Sequence, residues 1–401
     1  MLGTEEAEAV ARVLNSGSPL SSGRYREAFE RRFSELVGTR HALSVTSGTV
    51  ALELAISLLD LWPGDEVIAT PQTYKATVQP LLRHPVTVRF CDIDPVTLNA
   101  DPDSIATLIT PRTKAILLVH FGGVTADMNK IMKIARGAGV LVVEDCAHAL
   151  GGSYFGASPG SLADIGCFSF HSSKNITTLG EGGMVTLNRD DWAERLDLMR
   201  SNESDSIYAP APRTLGGQAA AHTWMLHPGN AFSHDCTQIR HPGTNAIMSE
   251  PAAAVGLVQL DRLTDLINRR QEIAGRISAT LAPFPFVRAV PEQPGVVNAH
   301  HLYTFFLDPG SGITRDALVG RLEQLGIEMR LRYFPLHLLP EWRAQGHHPG
   351  ECPVTERMWF DQQVNLPCQP VLSEEQISYL LRALRTVLSE AETANRALAG
   401  T

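Results

Sequence analysis

An α/β fold, with a large and mostly parallel sheet followed by a smaller α+β unit, is what this sequence predicts. Three observations carry it. Between residues 41 and 145, short apolar strands alternate with helical segments in a βαβ rhythm. The chemically able residues of that stretch fall just after strands, where open sheets of this kind bind their ligands. From Ser249 the chain changes character, and leucines recur at helical spacing.

The elements follow in order. Glu5 to Leu14 has helical apolar spacing and ends in the turn Asn15-Ser16-Gly17, and a second amphipathic helix runs through Phe29, Phe33, Leu36 and Val37 to Gly38. His41 to Val45 is a strand, and Thr46-Ser47-Gly48-Thr49 opens an apolar helix from Val50 to Leu59. A strand from Glu66 to Thr70 leads through Pro71-Gln72-Thr73-Tyr74 to a helix starting at Lys75, then to a strand near Val86 to Phe90. The rhythm continues with a helix Pro102 to Leu108, a strand Ala115 to His120, a helix Asn129 to Arg136, and a strand Val140 to Glu144 that ends in Asp145. Beyond Ser249 come one long helix from Ala252 to Leu281, a strand beginning at His301-Leu302-Tyr303, a helix Thr314 to Leu325, and a last amphipathic helix Ser373 to Ala391.

Composition narrows the function. With 401 residues, 44% of them hydrophobic and 19% charged, the chain can bury a substantial core and is not a disordered one. A net charge of -9 without a long basic run or basic–aromatic alternation argues against nucleic acid as the main partner and leaves a small molecule. The acidic start MLGTEEAEAVARV is not a signal peptide, and no later segment is apolar enough to span a bilayer, so the cytoplasm is expected. Cys91, Cys146, Cys167, Cys236, Cys352 and Cys368 form no CxxC pair, as expected of reduced thiols in a core.

The stretch Phe168 to Met184, FSFHSSKNITTLGEGGM, concentrates the chemistry. Lys174 is its one lysine, set among serines and threonines and followed by Gly180-Glu181-Gly182-Gly183. Such surroundings suit an amine that forms an imine while hydroxyls and backbone N–H groups hold an anion; a surface loop lysine is the plainer reading of the stretch alone. Ser47, Gly48 and Thr49 at a helix N-terminus make a second anion site, although an ordinary N-cap explains them equally well in isolation. Asp145 ends an apolar run and is followed by Cys146, Ala147 and His148, so its carboxylate needs a cationic or proton-donating partner unless it is a helix cap.

Taken together, Thr46-Ser47-Gly48-Thr49-Val50-Ala51-Leu52, Pro63-Gly64-Asp65-Glu66-Val67-Ile68, Glu144-Asp145-Cys146-Ala147-His148-Ala149, Phe168-Ser169-Phe170-His171-Ser172-Ser173-Lys174-Asn175 and Gly180-Glu181-Gly182-Gly183 resemble the DegT/DnrJ/EryC1/StrS aminotransferases. The motifs occur in the family's order from the first helix to Leu366-Pro367. The resemblance implies a fold-type-I pyridoxal-phosphate enzyme with a seven-stranded-type sheet in a large domain, residues 1–245, and a small domain, residues 246–401, entered by the long helix. It implies that Lys174 is the lysine bonded to pyridoxal 5'-phosphate, that Asp145 pairs with the pyridine nitrogen, and that Tyr74 stacks on the ring. Gly48, Thr49 and Ser169 resemble the phosphate cradle, His148 stands beside the ring oxygen, and Asn245 resembles an asparagine lent by the partner subunit of a homodimer. Tyr333 and His337, in Tyr333-Phe334-Pro335-Leu336-His337, resemble a segment that faces the substrate, and Glu181 belongs with them.

Two stretches depart from the family pattern: Arg200-Ser201-Asn202-Glu203, where Arg-x-His-Gly is common, and Asn245-Ala246-Ile247-Met248. The segment 204–240 is long for a connection and reads as a substrate-covering loop. Its His222, His227, His234 and Cys236, with His241 beyond, match no closed metal motif, so no metal centre is expected. The implied activity is transfer of an amino group from glutamate or glutamine to a keto sugar, keto-cyclitol or related polar ketone, in secondary-metabolite or antibiotic biosynthesis. A dehydratase or lyase on the same scaffold is the second reading. A cofactor-binding regulator is the third, and it lacks the basic patch or appended DNA-binding domain it would need.

Overall fold

The computed structural model describes residues 2–202 and 243–399, with two small antiparallel strand pairs between them, Ile207–Tyr208 with Thr237–Gln238 and Thr214–Leu215 with Gln218–Ala219. The covering-loop expectation for 204–240 otherwise lies outside the described residues.

The N-terminal helices α1 (Thr4–Asn15) and α2 (Arg24–Val37) begin the chain, and α2 stops where Gly38 turns left-handed. Seven strands then form the main sheet: β1 (His41–Val45), β2 (Glu66–Ala69), β3 (Thr87–Phe90), β4 (Thr113–Val119), β5 (Leu141–Asp145), β6 (Ile165–Ser169) and β7 (Gly183–Leu187). Their spatial order is β1-β7-β6-β5-β4-β2-β3, and every pairing is parallel except the two made by β7. The large, mostly parallel sheet that the sequence predicts is therefore present. Its strands are buried almost throughout, which is why they read as continuous apolar runs rather than as alternating ones. Helices α3 (Gly48–Ser57), α4 (Pro102–Leu108), α5 (Met128–Ala138) and α6 (Asp190–Arg200) cover it.

Two expected helices are corrected. The helix from Lys75 is instead two short 3-10 turns, Lys75–Thr77 and Gln79–Arg83. Pro80 cannot donate the bond an α-helix would need there. The long helix is two helices, α7 (Glu250–Asp261) and α8 (Leu263–Leu281), separated at Arg262. Arg262 is held by Glu6 of α1 at 2.7 Å, and buried faces of α7 lie against α1 and α2, so the chain must turn before α8 can run on.

Leu263, Leu266 and Ile267 of α8 pack with the sheet-side core, whereas Ile273, Ile277 and Leu281 belong to a second core. That second core lies under β8 (Val287–Ala289), β9 (Tyr303–Leu307), α9 (Arg315–Gln324), β10 (Gln363–Leu366) and α10 (Glu374–Ala399). Its sheet runs antiparallel in the order β8-β9-β10. Among the described residues no helix is long and apolar enough to cross a membrane.

Candidate active site

Register brings the carboxyl ends of the parallel strands into line. Val119 at the end of β4 lies opposite Asp145 of β5, which lies opposite Cys167 of β6, two residues before Ser169. Around this edge a cavity of about 390 Å³ is lined by Gly48, Thr49, Tyr74, Asp145, His148 and Ser169, and by Lys174, Glu181 and Tyr333. Nine of the expected positions thus share one space.

Each wall has a local cause. Ser47 caps α3 by accepting from the Val50 N–H at 3.2 Å, and the first turn of α3 contains no acidic residue to satisfy the positive end of the helix. Gly48 lets that end approach β6, since a Cβ there would sit 2.7 Å from the Ser169 Cβ. Asp145 is almost fully buried, accepting from the Thr77 hydroxyl at 2.7 Å and from the Ala147 N–H at 3.0 Å, while Thr73 bonds Thr77 at 2.6 Å. Lys174 is set by the turn after β6, where its own N–H reaches the His171 carbonyl at 2.8 Å. The same turn closes tightly at Gly182, where a Cβ would collide with the Thr178 hydroxyl at 2.0 Å.

The Lys174 amine makes no hydrogen bond or ion pair with another described residue, and burial lowers its pKa to about 8, with Asp145 opposing and Arg332 adding to the shift. The residue is partly open to the cavity, so the amine is both reachable and easily deprotonated. His148 is held well below the usual histidine range, first by burial and then by Lys174 and Arg332, and is neutral at pH 7. Its Nε2 lies 3.1 Å from the Tyr333 hydroxyl, its ring stacks at 4.3 Å on His301, and its buried Nδ1 has no partner. Burial pushes Tyr333 up to about 12, so the phenol keeps its proton. Tyr74 is half exposed at the rim, 5.9 Å from the Tyr333 ring.

Two expected residues lie elsewhere. His337, expected to face the substrate, does not line the cavity: it is fully buried, and its Nε2 contacts Glu356 at 2.9 Å. The correction follows from Phe90 and Trp342, whose rings pack together in the apolar wall that encloses it. Asn245 is exposed outside its own chain's cavity, on a segment bonded to Met199, Arg200 and Thr46. Conversely, Arg332 and Thr73 line the cavity, and Thr77 supports Asp145, without having been singled out from sequence. Adjacency to Tyr333 was the available signal for Arg332. A third group, His120, Glu144 and Cys146, brings possible metal-ligand atoms within 4.8 Å of one another. His120 and Glu144 are already engaged: His120 Nδ1 accepts from Ala126, and Glu144 bonds His120 and three backbone N–H groups of residues 160–163.

Comparison with known proteins gives this geometry its chemistry. The chain is 33% identical over 395 residues to the spore coat polysaccharide biosynthesis protein SpsC of Bacillus subtilis, covering 98% of this chain and 96% of that protein. It is 35% identical over 371 residues to the GDP-perosamine synthase of Caulobacter vibrioides, with 92% and 91% covered. The PLP-form structure of Spr1654, a putative sugar aminotransferase from Streptococcus pneumoniae, superposes with a TM-score of 0.83 at 27% identity, covering 98% of this chain and 97% of that one. The sequence model of the DegT/DnrJ/EryC1/StrS aminotransferase family matches residues 1–385, and the chain therefore belongs to that family of pyridoxal-phosphate-dependent transaminases.

Proposed function

We propose that this enzyme moves an amino group from glutamate or glutamine to the carbonyl of a keto sugar, keto-cyclitol or related polar ketone in secondary metabolism. The observation that carries the reading is the single cavity walled by Lys174, Asp145, Ser169 and the N-terminus of α3. In the segment 204–240 the only cations are Arg213 and Arg240, which favours an acceptor that is not strongly anionic.

The residues fit pyridoxal phosphate. A positive helix end with no acid in its first turn, beside the Thr49 and Ser169 hydroxyls, suits a phosphate, a buried carboxylate suits a protonated ring nitrogen, and the unpartnered His148 Nδ1 awaits a polar neighbour. When bound, the cofactor would supply an electron sink for the electron pair left on the amine-bearing carbon when its proton departs. Asp145, oriented by Thr77 and Ala147, keeps a negative charge fixed for that ring. Lys174 accepts and returns the proton at its Nζ, a task for which a pKa near neutrality is well matched. Tyr333 and neutral His148 form a pre-arranged polar wall, and Tyr74 covers the open side.

The same reading takes residues 1–245 and 246–401 as the two domains, places the protein in the cytoplasm, and makes a homodimer the active unit. Exposed Asn245, outside its own cavity, suits a side chain offered to a second copy. The test is a donor and acceptor screen on purified protein. Glutamate or glutamine should release one equivalent of keto acid per site, a keto acceptor should then be aminated, and borohydride should label Lys174. Absence of keto acid from both donors, or a label on another lysine, would overturn the reading.

A further inference from the structure

Arg332 is unlike the other cations near the site. Besides Lys174 it is the one lysine or arginine among the described residues lining the 390 Å³ cavity, and it also lines a neighbouring cavity of about 680 Å³. Of the other two arginines in that larger space, Arg330 is paired with Glu328, and Arg382 lies over the Tyr379 ring. Arg332 forms no ion pair with any described carboxylate, although Asp145 and Glu181 line the same cavity. A half-buried guanidinium without an anionic partner, at the mouth between two cavities, is placed to take an anionic ligand.

Its backbone, by contrast, is saturated. The Arg332 N–H donates to Asn365 Oδ1 at 2.9 Å, and its carbonyl accepts from the Gln363 side chain. Gln363 is bonded in turn to Gln72, two residues ahead of Tyr74, at 2.7 Å, and Asn365 to Thr304 at 2.8 Å. Buried amides from β10 and from the loop after β2 thus fix the main chain of Arg332, while its head group reaches the neutral Tyr333 hydroxyl and keeps its remaining donors and its charge for an anion. That is the pre-organisation expected of a binding residue rather than of a solvated surface cation.

We propose that Arg332 is a specificity-determining residue that binds the carboxylate adjacent to the amino group of the donor. The inference rests on the proposed transamination, in which glutamate and glutamine alike carry that carboxylate one bond from the reacting carbon. Such a carboxylate must lie close to Lys174, and Arg332 is near enough to Lys174, His148 and Tyr333 for its charge to act on all three. A planar guanidinium matches a carboxylate with two parallel N–H donors, a geometry a lysine cannot copy.

The experiment compares the donor half-reaction of the wild-type holoenzyme with those of Arg332→Gln and Arg332→Lys. The donors are glutamate, glutamine and 4-aminobutyrate, which is glutamate without the carboxylate in question. Arg332→Gln should raise KM for glutamate and glutamine by about 100-fold, change the slow reaction of 4-aminobutyrate at least tenfold less, because that amine feels only the altered charge beside Lys174, and spare the acceptor KM. Arg332→Lys should recover part of the loss. Equal weakening of all three amines, or an effect confined to the acceptor, would overturn the assignment, as would wild-type KM values in the Gln variant. If the wild type itself releases no keto acid from glutamate or glutamine, it is the transaminase reading that fails. Borohydride labelling of Lys174 in each variant verifies that the site is formed and loaded.

Discussion

The two ends of the cavity are built from different materials. At the α3 end the recognition groups are backbone N–H groups and short hydroxyls, brought together by the approach of Gly48 to Ser169. At the Tyr333 end they are rings and a guanidinium, held by His148, His301 and an amide network that reaches β10. Each piece of the first end is shaped by its own strand–turn or turn–helix geometry, although Gly48 and Ser169 lie far apart in sequence; the side chains of the second end are positioned only by distant partners. One end is therefore suited to a group that never changes, the cofactor, and the other to groups that differ between enzymes, the substrates.

If that contrast holds, the largest losses come from the cofactor side. Asp145→Asn should retain bound cofactor yet slow the donor half-reaction on the order of 10³-fold, because the fixed charge is lost while the shape is kept. Single-turnover absorbance measures it, and a rate near wild type would remove Asp145 from the chemistry.

The next effect is one of pH. With a pKa of about 8, roughly 9% of Lys174 is neutral at pH 7 in the cofactor-free protein, against about 0.03% for a lysine at 10.5. Only the neutral amine attacks an acylating reagent, so labelling of Lys174 should rise with pH through a midpoint near 8 and level off above it. Mass spectrometry of the labelled peptide follows this directly, and a midpoint above 10 would show that the amine is not desolvated.

Gly48→Ala should weaken cofactor binding by about 10- to 100-fold, since the added methyl meets the Ser169 Cβ and pushes α3 off β6 at a cost of about 1–3 kcal/mol. Cofactor titration reads this, and unchanged affinity would mean that the helix end is not the phosphate site. The smallest effect on chemistry belongs to His337. His337→Gln should leave the KM values of both half-reactions within about twofold while lowering Tm by several degrees, because a buried bond to Glu356 is disturbed and no cavity contact is lost. A large KM change would return His337 to the substrate side.

The same division explains what the sequence disclosed. Asp145 at a strand end and Lys174 in a glycine- and hydroxyl-rich turn are local patterns, each recognisable within about a dozen residues, and the βαβ rhythm is a simple succession of such local elements. The segment 330–337 could not be read that way. Whether His337 or Arg332 meets the cleft is settled by Glu356, Gln363 and Asn365, which lie 19 to 33 positions from their partners. The break at Arg262 likewise depends on Glu6, at the other end of the chain. Helical spacing on both sides of it gave no sign of the turn.

Glu144 and Asp145 are consecutive on β5, and a strand turns consecutive side chains to opposite faces. Asp145 meets Thr77 beside the cavity, whereas Glu144 is clamped behind the sheet by His120 and the turn at 160–163. A slip of β5 by a single residue would exchange the two acids, putting a longer carboxylate in the cleft and Asp145 against the back-face histidine. The rear clamp therefore acts as a ratchet on the strand: contacts that never see the substrate decide which of two adjacent acids the front of the sheet displays.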